Sequence, residues 1–538
     1  MKIKNLVQGL ITFFAVVLAL AVILAFVIPL LSATLLNGKS SGVKSLSLFS
    51  VLKITFYTIR IAFFSTLLSF IVGISASFFT ARRTFFGRSF LLSLAAIPLC
   101  VPPLIIALGF VTVFGISGIA NKMLVSVFRI SSRPTSFLYS SLGIVIAQGF
   151  YNFPLVMKIV SDSWESNSEE EENAARLLGA REFRIFFTIT LHKLFPAILA
   201  SCIPVFLYCF FSFMIVLLFG PVGRSVLEAE IYRAAKITLN YNDVTSLALV
   251  ETFCALLIVS FYSTIKKYDI PIKSKVYTSV KKIKLAKSKY KGKTEKIFEC
   301  IVFYLVIAAI FLFLIFPLFG IFASALSQKN KILTFLLSKN FLSALRNTLL
   351  VAPCTASLCV STARVYSCFL RLNKFFANKL FFQLIPLLPL AVSSVVIAFG
   401  VTRLNIYPSI FALVLMEASL SWPLAFRIIF SRLQAMPNSI LESSMLLEEN
   451  PLDTVFKILL PFLKSSIFSA FGFCLATSAG DATLPLVLSI PKFTNLSLLT
   501  YRLASSYRFN EACISGTILA IICFAFFSLE KLWRFFDE

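Results

Sequence analysis

From Glu169 to Pro196 the chain reads Glu-Glu-Glu-Glu-Asn-Ala-Ala-Arg-Leu-Leu-Gly-Ala-Arg-Glu-Phe-Arg-Ile-Phe-Phe-Thr-Ile-Thr-Leu-His-Lys-Leu-Phe-Pro, the most polar part of a very apolar sequence. Its frame is Asn173-Ala174-Ala175, three residues, Gly179, nine residues, then Ile189-Thr-Leu191-His192. The frame returns 269 positions later, half of 538, as Glu442-Ser443-Ser444, three residues, Glu448, nine residues, then Ile458-Leu-Leu460-Pro461. Each copy lies between two apolar runs, so each is expected to be a short cytoplasmic element at a membrane surface. Ser168-x-x-Glu171 and Ser439-x-x-Glu442 fit a capping box, which opens a helix. In the first copy Gly179 then lets the backbone turn, and an apolar-rich helix leads back toward the membrane.

Composition fixes the class. A chain that is 58% hydrophobic and 14% charged, with 60 Phe, is not an ordinary soluble globule. One span needs about 20 apolar residues, and the runs accommodate about twelve. They are continuously apolar, which means helices rather than barrel strands. Twelve of the 50 Lys and Arg residues fall between Lys266 and Lys296, a basic connector that reads as cytoplasmic and lipid-facing. No aromatic platform or groove-reading motif accompanies the net charge of +26, so nucleic acid is not an expected partner. The 11 Cys show no paired spacing and read as small hydrophobes.

In order, spans are expected at 6–36, 51–80, 91–114, 139–160, 195–219 and 244–265, then at 301–325, 341–370, 381–402, 406–430, 462–490 and 512–529. Segments 115–134 and 220–243 are expected as external loops. Lys and Arg in the segments assigned inside number roughly twice those outside, which puts both polar loops and both termini in the cytoplasm. The domains are then 1–265 with its polar loop at 165–195, the connector 266–296, and 297–538 with its loop at 434–461.

The halves repeat residue by residue. Adding 269 takes Gln148 to Glu417, Pro154 to Pro423, Lys158 to Arg427, Ser212 to Asp481 and Tyr232-Arg233 to Tyr501-Arg502. Upstream the offset is 291, matching Pro98-Leu-Cys-Val with Pro389-Leu-Ala-Val and Gly109 with Gly400. An even number of spans per half gives the halves one topology, a fused pseudo-dimer about an axis normal to the membrane.

The doubled polar loop is similar to the Glu-Ala-Ala, Gly, Ile-x-Leu-Pro element that ABC transporter permeases offer to their ATPase subunits. Over essentially its whole length the chain resembles type I ABC importer permeases of the fused, two-copy kind. Phe211-Ser-Phe-Met through Tyr232, and Ala479-Gly-Asp481 through Asn510, look like the thiamine permeases, with ferric-iron permeases as near relatives. The resemblance implies an all-α membrane protein of two tandem six-span MetI-like repeats in a bacterial inner membrane. It also implies two cytoplasmic ATPase subunits on the polar loops and an external substrate-binding protein. ATP and Mg would sit on the ATPase, with no cofactor on this chain. Asn173 and His192 depart from the family pattern in the first loop and Glu448 in the second, where the turn is expected to shift to Asn450-Pro451. The run Glu169 to Glu172 either faces basic ATPase residues or is a solvated helix N-terminus. His192, the single histidine, reads as loop packing.

Ionisable residues inside a membrane are functional candidates by default. Glu417 and Asp481, with neutral counterparts Gln148 and Ser212, form the candidate translocation path. The two carboxylates suit either the thiazolium of thiamine or ferric ion; alternatively they serve interhelical bonding or pair with Arg60, Arg346 or Arg403. No phosphate-binding loop of the Gly-x-x-x-x-Gly-Lys-Ser/Thr form occurs, so the chain is expected to be no ATPase itself, and no metal site is expected. A twelve-span secondary carrier is the remote alternative, but it has no need of the doubled loop.

Overall fold

The computed structural model describes residues 26–34, 46–97, 101–128, 137–166, 170–221, 223–266, 293–327, 329–372, 385–404, 407–437 and 454–537, with isolated positions at 17, 24, 283–284, 382, 439–440 and 443. Among them, ten helices are long and apolar enough to cross a membrane. They are Leu48–Arg82, Pro103–Val127, Ser141–Ser166, Glu182–Phe210 and Tyr241–Ser260, then Ile297–Leu326, Lys339–Arg371, Ile410–Gln434, Val455–Gly480 and Phe509–Ser528. The protein is an all-α membrane protein; its one β feature among the described residues is a two-residue parallel pairing of Arg83–Thr84 with Ile283–Lys284. Of the expected first span, the 26–34 stretch is described and is helical.

Four expectations need correction, three of them at prolines or at short amphipathic segments. The expected ninth span is a seven-residue 3-10 turn, Ile385–Ala391, followed by a ten-residue helix, Ser394–Arg403. Pro386 and Pro389 supply no N–H to the ladder, and their rings crowd the preceding turn. The expected third span is likewise interrupted: Pro102 caps a new helix that begins at Pro103, where a missing N–H costs nothing. The expected external loops are partly helical, with Ile119–Phe128 in one and Leu227–Lys236 in the other. The second of these buries Leu227, Ile231, Ala234 and Ala235, an apolar stripe at helical spacing in a segment too short and charged to read as a span.

The fourth correction concerns the expected fifth and eleventh spans. Both begin earlier than expected, through π-helical turns at Phe186–Thr190 and Thr454–Leu459. Both also stop short. The first ends at Phe210 and resumes as Met214–Phe219; the second ends at Gly480 and resumes as Thr483–Leu488. The breaks fall at one register in the repeat and contain Ser212 and Asp481. Backbone that leaves a helix inside a membrane bundle is tolerated where protein or a cavity surrounds it.

The two halves are interlocked rather than side by side. A Cβ on Gly400 would lie 1.9 Å from the Pro29 carbonyl oxygen, and one on Gly109 would lie 2.7 Å from that of Pro317. The first helix of each half therefore packs against the third apolar segment of the other, and at both crossings only glycine admits the approach. Ser32 secures one crossing by donating to the Gly400 carbonyl at 2.7 Å.

Candidate functional site

The first polar loop is a folded unit. Helix Glu170–Leu177 ends in a Schellman turn, with Ala180 N–H donating to the Ala175 carbonyl at 3.0 Å and Gly179 N–H to that of Arg176 at 3.0 Å. Gly179 has φ +83°, left-handed as its place in the frame requires. Ser168 lies outside the described residues. The acidic run is neither a purely solvated terminus nor wholly free to meet a partner. Glu172 is 7% exposed, pairs with Arg82 at 3.2 Å and Arg176 at 3.6 Å, and accepts from the Thr190 hydroxyl at 2.9 Å. Glu171 pairs with Lys193 at 2.9 Å. Arg176 in turn donates to Glu182 at 2.7 Å and to the side-chain amide oxygen of Asn173 at 2.7 Å. Glu172 thus ties the loop helix to the end of the Leu48–Arg82 span and to the helix that re-enters the bundle. A charge this buried keeps its place through such partners. Sequence spacing gave no hint of this, because its partners lie 90 and 18 positions away.

Ala174 is exposed and Ala175, Ile189 and Leu191 are half-buried, while His192 is exposed rather than packed. Leu177, Leu178, Phe183 and Phe187 are more than half exposed, an apolar patch at the tip of the loop. In the second loop Glu442, Ser444, Glu448 and Asn450-Pro451 lie outside the described residues. Ser443 and Pro461 are exposed, Ile458 and Leu460 half-buried, and Phe456, the counterpart of Phe187, is exposed.

All four candidate path residues come together. Gln148, Ser212, Glu417 and Asp481 line one cavity of about 350 Å³ between the halves. The prolines at 102 and 103 and the two helix breaks shape its wall. Glu417 is 3% exposed; one carboxylate oxygen accepts from the hydroxyls of Thr355, at 3.1 Å, and Ser478. Its other oxygen has no partner. The interhelical bonding envisaged for Glu417 is therefore present and leaves half of the carboxylate unused. Arg60 stacks on Tyr57, and Arg403 on Tyr241 and Phe399. Asp481 accepts from the backbone N–H groups of Thr483, at 2.8 Å, and Leu484, at 3.4 Å, which fixes the carboxylate at the break. Gln148 accepts from Ser65 at 2.8 Å.

Sequence reasoning missed two buried carboxylates that do not line this cavity. Glu251 lies within the Tyr241–Ser260 span, 1% exposed, with both carboxylate oxygens unpartnered, and Glu228 is equally buried. The rule that singled out Glu417, an ionisable residue within a span, applies to Glu251 as well.

Residues 70–269 match the family described as the binding-protein-dependent transport system inner membrane component. The first half of the chain therefore carries a domain similar to that family. This permease is 25% identical to the thiamine transport system permease protein ThiP of Haemophilus influenzae over 503 residues, 89% of this chain and 88% of that one. It is 25% identical to ThiP of Escherichia coli over 498 residues, 88% of this chain and 89% of the other. The molybdenum transport system permease protein ModB of Haemophilus influenzae is 32% identical over 146 residues, 27% of this chain and 62% of that protein. The permease is therefore the multi-pass membrane subunit of an ABC importer, a class that works with ATPase subunits and a substrate-binding protein.

Proposed function

We propose that this permease carries thiamine or its phosphates, handed over by an external binding protein, into the cytoplasm. The observation that carries the reading is the alignment with thiamine permeases along almost nine-tenths of both chains, which takes in both halves and both polar loops. The unit is a tandem repeat, 1–265 and 297–538, joined by the basic connector 266–296, with both termini in the cytoplasm. Each polar loop is the handle for one of two copies of an ATPase subunit, and the exposed patch of Leu177, Leu178, Phe183 and Phe187 is the surface the first ATPase covers. Nucleotide and Mg belong to those subunits, and the chain itself catalyses no reaction.

A mechanism for coupling follows from this reading. When the ATPase dimer closes, the first handle moves, and the Arg82–Glu172–Thr190 staple makes two spans move with it. Both spans reach the cavity region, Leu48–Arg82 through Ser65 on Gln148 and Glu182–Phe210 through the break that holds Ser212. The path then alternates between two packings whose balance ATP shifts.

The test is ATP hydrolysis by the permease purified with its ATPase and binding protein, with thiamine, thiamine diphosphate and ferric ion offered in turn. Stimulation by the thiamine compounds supports the reading. Stimulation by ferric ion alone keeps the importer and overturns its cargo.

A further inference from the structure

Three side chains on the cavity wall are more than nine-tenths buried and each keeps one polar atom without a partner: the carboxylate of Glu417 and the carboxamides of Gln148 and Asn152. All three sit in the two pseudo-equivalent helices Ser141–Ser166 and Ile410–Gln434, whose prolines Pro154 and Pro423 mark one register. Asn152 spends its amide N–H on the Gln148 carbonyl, at 3.0 Å, and on the Cys209 sulfur, at 3.5 Å, so its own oxygen is the atom left over. Buried polar groups without partners are rare in native proteins and point to something that is absent when they are counted. Three residues of one cavity wall thus each keep a hydrogen-bonding atom that a bound molecule can use.

The rest of the lining says what would fill it. Tyr208 and Phe211 present aromatic surface, and Asp481 adds a second carboxylate. No Lys, Arg or His is among the described lining residues. The volume of about 350 Å³ falls in the range of small-molecule sites, roughly 300–1,000 Å³. Two carboxylates with no basic neighbour call for a cation. Aromatic walls favour a flat one, held in part by its charge against the rings. Two carboxamides beside a carboxylate suit an edge that offers a donor and an acceptor side by side.

We infer that this cavity is a cargo-binding site for an unphosphorylated, planar heteroaromatic cation, with Glu417 as its counter-charge and Gln148 and Asn152 reading an amino-azine edge. The inference rests on the proposed function, since thiamine, a thiazolium joined to an aminopyrimidine, is the cargo with that chemistry. The site gives the permease its own selectivity, in addition to whatever the binding protein exerts. The three unpartnered atoms are shielded from water, so binding requires each side chain to turn toward the ligand.

The experiment is equilibrium binding of labelled thiamine to the permease–ATPase complex in lipid nanodiscs, with the binding protein left out. Oxythiamine, in which a carbonyl replaces the amino group, should compete at least about tenfold more weakly, because a site built for a donor is left with unpaired groups. Thiamine monophosphate should also compete more weakly. Glu417→Gln should reduce thiamine affinity by at least about tenfold and Glu417→Asp should recover part of it, with co-purification of the ATPase confirming that each variant is folded. Equal competition by oxythiamine, or unchanged affinity in Glu417→Gln, overturns the site. The analogue arm needs no variant, so it decides the matter even if Glu417→Gln does not fold. A complex that hydrolyses ATP in response to thiamine-loaded binding protein yet shows this indifference refutes the inference alone; a complex indifferent to loaded binding protein refutes the proposed function.

Discussion

The helices Ser141–Ser166 and Ile410–Gln434 follow the same course through the two halves, each with a proline at one register, yet they meet the cavity with different chemistry. One offers Gln148 and the other Glu417, and at the neighbouring helix breaks one half offers Ser212 and the other Asp481. The backbone is repeated; the charge is not. A fused chain permits this, because its halves are free to diverge, whereas a homodimer would place any new carboxylate on both sides of the path. Duplication supplied the frame, and substitution at facing positions made one wall of the cavity negative.

The polar loops extend the comparison and give the largest expected effect. Gly179→Asp places a side chain at φ +83° on the surface the ATPase is proposed to cover; transport should fall to background while the protein remains in the membrane, as uptake and membrane immunoblotting together would show. Normal uptake would remove the first loop from the mechanism. Next comes the charge asymmetry. Glu417→Gln should slow thiamine uptake by about tenfold or more. Adding Gln148→Glu to it moves the carboxylate to the other half but removes a carboxamide that reads the cargo, so uptake should stay low; full recovery would show that the cavity needs only a charge, without regard to side.

The interlocking helices predict a difference in stability rather than activity. Gly400→Ala should lower the thermal midpoint of the purified protein more than Gly109→Ala, since its added carbon meets backbone at 1.9 Å instead of 2.7 Å. Overpacking of this kind costs about 1–3 kcal/mol. Equal shifts would mean that the two crossings relax alike. The smallest effect is expected at Thr190→Val, which removes one hydroxyl bond to Glu172 and should cost about 1 kcal/mol. In the second half the corresponding position is Leu459, buried and apolar, so the staple belongs to the first loop, and Leu459→Val should not loosen any such bond.

How much of this was legible depends on the range of the interaction. Gly179 was read as a turn because a local frame marks it, and it turns. The four cavity residues are legible because an ionisable side chain in an apolar run stands out, and superposition of the halves gives their neutral partners. Glu251 carries the same signal, an ionisable side chain within an apolar span. Leu227–Lys236 reads as a loop in the sequence because its charges mask a four-residue apolar stripe. Glu172 looked like one more member of an acidic run, and nothing adjacent distinguishes it from Glu171.

The amino-acid order by itself determined the membrane class, the residue-by-residue repeat at its two offsets, where the two polar stretches fall along the chain, and which half bears Glu417 and Asp481. These depend on composition and on periodicity along the chain, which survive in any conformation. Only the tertiary structure decided which half each first helix joins, where the spans break, and that Glu172 is an internal anchor. The Pro29–Gly400 approach spans 371 positions and the Arg82–Glu172 pair spans 90; each exists because two distant surfaces fit in space. Shape complementarity and buried pairing of that kind leave no periodic trace in the sequence.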